Sequence, residues 1–279
     1  MLVVLSLLTI TTHHLPIVAA ECGSSYGAVN VGAYITVFYT STTDGFFVDC
    51  VGMIVSSNNS ASSSKFVLTS RYCLEPEELC KTNVLPLNYF KYQDYLKGAE
   101  IKNVWFPKTE AVTQKGLKFS PKNFAVVKLD ANLYFNSKVS PICLPNQNEK
   151  PQASSMCYYY QFYNGTYISY VPIRMSILSD VFCQSVVGIR LFDPKTQICC
   201  EEIQNQWNLQ VENKPTLILE GSPLVCIKDS KHYLYGIYSW LKIQKMDFPI
   251  VILTAVSSFT NMSYELMNNF ADNNEILVS

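Results

Sequence analysis

The 279-residue chain reads as an all-β protein. Three observations carry that reading. Short runs rich in β-branched and aromatic residues recur along most of its length, polar or Gly/Asn-bearing stretches separate them, and only two segments have helical character. Strands that succeed one another without alternating helices predict a barrel or a sandwich rather than a parallel α/β sheet. Hydrophobic residues make up 48% of the chain and charged residues 15%, enough apolar material to bury a sizeable core and too much for a disordered chain.

Taken in order, the first element is an export leader. Leu2 to Ile10 form an apolar core and Val18-Ala19-Ala20 offer small residues at the cleavage positions, although the basic start usual for such leaders is missing. Thr11 to Pro16 interrupts the run too early for a packed strand. Residues 1–20 are therefore expected to be removed, leaving Glu21 first. Strands are expected at Tyr34–Tyr39, Phe46–Val55, Phe66–Thr69, Phe124–Leu129, Ile168–Ile177, Pro223–Ile227 and Tyr233–Trp240. The aromatic run Tyr158 to Tyr163 reads as a strand buried on both sides. Ser57–Ser64 and Asn146–Ser155 read as connections, and Glu201-Glu202 as a polar loop. Helices are expected around Ser179–Val187 and from about Ser257 to Ala271. The best internal boundary follows Cys143-Leu144-Pro145. There is no repeat of fixed period and no low-complexity tract.

Composition removes several functions. Lys and Arg total 21 against 22 Asp and Glu, for a net charge of -1, so nothing favours binding to nucleic acid. Beyond the N-terminus no apolar run approaches the roughly 20 residues that span a bilayer. Ten cysteines in an exported chain read as disulfides, and the sequons at Asn58, Asn164 and Asn261 are usable only in a secretory lumen. A secreted, glycosylated protein is expected. Of three histidines, His13 and His14 fall in the leader and only His232 remains. That excludes a His-rich metal site, and no metal or cofactor is expected. His232 itself is expected to be a solvated turn residue.

Five segments share an order and spacing. Val67-Leu68-Thr69-Ser70-Arg71-Tyr72-Cys73 stands beside Val-Leu-Thr-Ala-Ala-His-Cys, and Asn123-Phe124-Ala125-Val126-Val127-Lys128-Leu129 beside Asp-Ile-Ala-Leu-Leu-Lys-Leu. Val139-Ser140-Pro141-Ile142-Cys143-Leu144-Pro145 follows. Leu219-Glu220-Gly221-Ser222-Pro223-Leu224-Val225-Cys226 stands beside Asp-Ser-Gly-Gly-Pro-Leu-Val-Cys, and Gly236-Ile237-Tyr238-Ser239-Trp240 beside Gly-Ile-Val-Ser-Trp. Val256-Ser257-Ser258-Phe259 is similar to the start of a terminal helix. In these segments the chain resembles the trypsin/chymotrypsin (S1) family of serine proteases over nearly its whole mature length. The resemblance implies two six-stranded antiparallel barrels and a C-terminal helix: about 21–145, about 146–256 and about 257–271. It also implies disulfides Cys22–Cys143, Cys50–Cys73, Cys157–Cys226 and Cys183–Cys199. Cys80 and Cys200 are left over, and the family's usual pair at the specificity pocket is missing, with Thr216 at one of its positions.

The same resemblance denies the family's chemistry, which needs a Ser nucleophile, a His base and an Asp that orients the His. The His position is Tyr72, a phenol whose ordinary pKa of about 10 makes it a poor base. The Asp position is Asn123, which cannot stabilise an imidazolium. The Ser position is Glu220. Ser222 lies in the second Gly position, just before Pro223, and is not expected to be a nucleophile. The oxyanion-loop Gly is Ile218, and the acidic residue that would capture a freed N-terminus is Leu219. No Lys or Arg lies between Glu21 and Ser64, so a tryptic activation site is absent. Leu241 follows Trp240 where a Gly is usual, and Lys214 falls near the pocket base by residue count.

Members of this family that have lost their triads act as ligands, carriers or decoys, and inactive paralogues in arthropods modulate protease cascades. The expected function is therefore a secreted, non-catalytic homologue that binds another protein, such as a protease, an inhibitor or a receptor. The alternatives are a divergent secreted hydrolase with an atypical site and a structural glycoprotein.

Overall fold

The computed structural model describes residues 21–24, 31–42, 45–58, 61–74, 82–90, 98–108, 112–114, 117–119, 122–163, 168–188, 191–203, 219–243 and 250–270. The proposed leader, Cys80, Asn164, Lys214, Thr216, Ile218 and Ala271 lie outside them. Among the described residues there are fourteen strands: β1 (Ile35–Thr42), β2 (Gly45–Val55), β3 (Ser63–Thr69), β4 (Thr82–Pro86), β5 (Ala99–Trp105), β6 (Val112–Gln114), β7 (Leu117–Phe119), β8 (Ala125–Tyr134), β9 (Met156–Tyr163), β10 (Ser169–Ile177), β11 (Gln197–Glu202), β12 (Pro223–Lys228), β13 (Lys231–Ile243) and β14 (Ile250–Ala255). The helices are α1 (Leu87–Phe90), α2 (Asp180–Val187) and α3 (Thr260–Phe270), the last entered through a 3-10 turn at Val256–Phe259.

These strands close into two six-stranded antiparallel barrels, in the orders β1-β2-β3-β8-β5-β4 and β10-β11-β14-β13-β12-β9, while β6 and β7 form a separate two-stranded sheet. Closure removes the exposed strand edges that an open sheet would present. Each barrel has its own interior. Phe38, Ile54, Val67, Val84, Val127 and Leu129 fill the first, and Tyr159, Ile173, Met175, Ile198, Leu224 and Leu253 the second. A third cluster draws on both barrels, joining Val51, Leu68 and Val126 to Tyr160, Phe162, Val225 and Leu234. Period-2 alternation explains this sharing. On β9, Cys157 and Tyr159 face the second barrel's interior, while Tyr160 and Phe162 face the seam between the barrels.

The disulfides are Cys22–Cys143, Cys50–Cys73, Cys157–Cys226 and Cys183–Cys199, the same four pairs that the resemblance implies. Cys200 is a free, buried thiol. The last disulfide pins α2 to β11. Ser179 caps α2, its hydroxyl accepting from the Phe182 N–H, with Asp180 in the first turn where the helix dipole favours a negative charge. The C-terminal helix crosses to the first barrel. Phe259 stacks on Phe124 and Phe270 on Trp105, and the buried Lys128 ammonium donates to the Phe270 carbonyl.

Several expectations need correction. β4, β5, β6, β7, β11 and β14 lie outside the segments read as strands. β5 carries Glu100, Lys102 and Asn103, whose polarity hides it until β8 pairs with it. Glu201-Glu202 is not a loop: both residues belong to β11, held between β10 and β14, and Glu202 is buried. β3 begins at Ser63, inside the polar connection, because Ser63 and Ser64 pair with Tyr134 and Leu133 of β8. His232 is not solvated. It is buried near the start of β13, its Nδ1 3.3 Å from the Tyr34 hydroxyl and 3.2 Å from the Gly23 carbonyl. The N-terminal segment packs over it: the His232 N–H donates to Gly23, and the Cys143 N–H donates to His232.

Candidate functional site

At the seam, the end of β3 meets the turn before β12. The Thr69 hydroxyl donates to the Val51 carbonyl (2.7 Å), closing β3 against β2. Residues 71–73 then form a 3-10 turn capped by Ser70, whose hydroxyl oxygen accepts from the Tyr72 N–H at 3.2 Å. The Cys50–Cys73 disulfide fastens that turn to β2.

From the other barrel, residues 219–222 turn tightly, with the Ser222 N–H donating to the Leu219 carbonyl (3.3 Å). Gly221 adopts φ +83°, and a Cβ there would lie 1.9 Å from the Val51 carbonyl oxygen, so only glycine fits. The Val51 N–H donates to the Glu220 carbonyl at 3.0 Å, and Cys50 and Glu220 form a parallel bridge. Residue 220 is thus bonded across the seam through its own backbone.

The structure brings together the three positions that the resemblance assigns to a triad. Ser70 Oγ lies 3.0 Å from Asn123 Oδ1 and 3.0 Å from Glu220 Oε2. The Tyr72 N–H donates to Asn123 Oδ1 at 3.3 Å. Asn123 is fully buried. Its amide is close enough to help draw the Glu220 carboxyl down, yet its Nδ2 makes no hydrogen bond of good geometry. Ser70 links the set, and the sequence reading does not single it out. The available signal is a hydroxyl where the resembling segment has Ala.

Burial pushes the Glu220 carboxyl above its usual range, while the hydrogen bond with Ser70 and the nearby Asn123 amide pull it part of the way back. Tyr238 and Tyr159 lie near Glu220 from the second barrel. Burial and the neighbouring Glu220 push the Tyr238 phenol up to about 12. Burial, and then Tyr238, push Tyr159 well above its ordinary value. The arrangement holds no described imidazole, since His232 is engaged with Tyr34 and Gly23. Ser222 is fully buried, and its hydroxyl donates to the Leu219 carbonyl at 2.6 Å. Leu219 shares an apolar cluster with Val31 and Tyr34. Leu241 lies on β13. Asn58 and Asn261 are exposed, but Ser263, the hydroxyl residue of the Asn261 sequon, is buried on α3 and donates to the Phe259 carbonyl. Among the described residues no cluster of His, Cys, Asp and Glu could hold a metal ion, and no helix is long and apolar enough to cross a membrane.

Two closed six-stranded barrels meeting at this seam, with a C-terminal helix, define the trypsin-like serine protease fold. Among solved structures, the chain is similar to a scabies mite inactivated protease paralogue, S-I1, with a TM-score of 0.61 and 15% sequence identity over 89% of this chain and 100% of that one. No family model matches the chain. No curated protein matches it either.

Proposed function

We propose that this chain is a secreted, catalytically inactive homologue of the trypsin-like serine proteases that works by binding another protein. The observation that carries the reading is Glu220. A carboxyl stands where the resemblance puts the nucleophile, bonded to Ser70 rather than to a base, and a carboxyl so held cannot begin acyl transfer. Tyr72 and Asn123 fill the other two roles with side chains that cannot perform them. Leu219, buried in the apolar cluster that the two barrels share, stands where the resemblance puts the acidic residue that would capture a freed N-terminus. The similar mite protein is named an inactivated protease paralogue, which favours the same class. Four disulfides and the sequon at the exposed Asn58 favour export, with residues 1–20 as leader and a protease, inhibitor or receptor as partner.

The test is a fluorophosphonate probe on the folded secreted protein, with an active trypsin-like protease as control. No labelling, together with saturable capture of one partner from the native fluid, is the expected result. Labelling that is lost on unfolding overturns the reading in favour of a divergent hydrolase, and absence of any saturable partner favours a structural glycoprotein. Restoring the named side chains with Tyr72→His, Asn123→Asp and Glu220→Ser is expected to leave peptide-anilide hydrolysis at the parental level. Loss of one oxyanion donor alone costs about 10²–10³ in rate. Turnover that vanishes when only the new serine is reverted would contradict this.

A further inference from the structure

Three oxygen atoms lie in a row across the seam: Asn123 Oδ1, Ser70 Oγ and Glu220 Oε2, with 3.0 Å between each neighbouring pair. Contacts of that length between oxygens need a proton in each gap. Ser70 has one hydroxyl proton to offer. The Tyr72 N–H enters from the side, 3.2 Å from Ser70 Oγ and 3.3 Å from Asn123 Oδ1. It also fixes the Asn123 amide, because turning the amide over would set the Nδ2 donor against that N–H.

The proton count then decides the state of the carboxyl. If Ser70 donates to Glu220, Ser70 Oγ and Asn123 Oδ1 face each other with lone pairs only. If Ser70 donates to Asn123, the gap to Glu220 is filled only when the carboxyl brings a proton of its own. An ionised Glu220 therefore leaves one 3.0 Å contact without a proton, and a neutral Glu220 satisfies both. We propose that Glu220 carries a proton at neutral pH and that this proton is a clasp between the barrels, the Glu220 O–H donating to Ser70 and the Ser70 O–H to Asn123.

The surroundings agree. Tyr159 on β9 and Tyr238 on β13 lie near Glu220 from the second barrel, and Cys200 on β11 lies near Tyr159. Burial raises all three, so each is neutral near pH 7. Ser70, Asn123 and the Tyr72 backbone come from the first. Among the described residues no cation draws the Glu220 carboxyl down, and burial pushes it up. For a carboxyl raised on folding, the stabilising contribution is complete below the unfolded value of about 4.5 and is lost as pH rises through the folded value. The clasp is shut on the acid side and released on the alkaline side, whether or not the protein has a partner.

The experiment uses the full mature protein carrying carboxyl-13C glutamate, the Glu220 resonance being assigned by its loss in E220Q or in Glu220→Ala. A titration midpoint above about 7, well beyond the ordinary glutamate value of about 4.5, is expected. A midpoint below neutral pH overturns the proposal. In E220Q the amide supplies a permanent donor to Ser70. Hydrogen exchange at residues 70–73 should then match the parent at pH 5 and be about tenfold slower than the parent at pH 8, the factor that corresponds to one unit of pKa. Faster exchange in E220Q at pH 8 would show that the parent carboxyl is an ionised acceptor.

Discussion

The two barrels share a topology and differ in what fills them. The interior of the first is mostly hydrocarbon, built from Phe38, Ile54, Val67, Val84, Val127 and Leu129, and one disulfide, Cys50–Cys73, sits at its rim. The interior of the second includes the phenols of Tyr159, Tyr235 and Tyr238 and the thiol of Cys200. Gln161 is fully buried on β9 and both of its amide atoms lack a hydrogen-bond partner among the described residues. Two disulfides, Cys157–Cys226 and Cys183–Cys199, hold that barrel. The difference teaches that one fold can be stabilised in two ways, by close packing of apolar side chains or by cross-links that tolerate an imperfect interior.

The largest effect expected from that contrast is loss of a cross-link. The Cys157–Cys226 pair spans 69 residues, and replacing both with Ser should cost about 4 kcal/mol on the chain-entropy model. In the first barrel a comparable loss, about 3 kcal/mol, should need a core truncation such as Leu129→Ala. Denaturant unfolding of both variants makes the comparison. A disulfide loss below about 1 kcal/mol would mean that the second barrel packs as well as the first.

A smaller effect of opposite sign is expected at Gln161. Gln161→Met keeps its volume and removes two buried groups without partners, so stability should rise by about 1–2 kcal/mol. A fall in the denaturant midpoint would show that the amide is bonded after all.

The pH profile separates two carboxyls. At Glu149 burial acts to raise the group, but hydrogen bonds from Tyr235, Lys228 and the Asn146 N–H outweigh it and pull the group down to about 2. A carboxyl lowered on folding contributes stability above its unfolded value, lost as pH falls from about 4.5 towards 2. Glu149→Gln should remove that acid-side loss and leave the alkaline-side loss assigned to Glu220. Unfolding measured at pH 2.5, 5 and 8 reads both, and an unchanged acid limb would remove Glu149 from the account. The smallest effect belongs to the exposed Lys150–Asp180 pair at the start of α2, where Lys150→Ala should change stability by less than about 0.5 kcal/mol.

Much of this was legible before any coordinates, for physical reasons. β2, β3 and β8 declare themselves through β-branched and aromatic runs, and α2 through its Ser179 cap. β5 and β11 do not, because Lys102 and Glu201 are ordinary surface residues until pairing gives them a strand to sit on. His232 could not be read correctly from its neighbours in sequence, since the groups that enclose it, Gly23 and Tyr34, lie about 200 residues away. At the site, Tyr72, Asn123 and Glu220 are singled out only through the family resemblance of the segments that carry them. Ser70 is not singled out, because a hydroxyl between Thr69 and Arg71 is an ordinary strand end until Asn123 and Glu220 converge on it.

The buried contact between Lys128 and Phe270 sets an order of events during biosynthesis. The ammonium belongs to the first barrel, yet its carbonyl partner arrives with the last turn of the last helix, 142 residues later. A ribosome delivers those residues in sequence, so the first barrel gains this contact only after the strands of the second have been made. Chains ended at residue 259 should yield a first barrel cut far faster by protease than the full chain, and equal resistance would show that the barrel is finished without its distant cap.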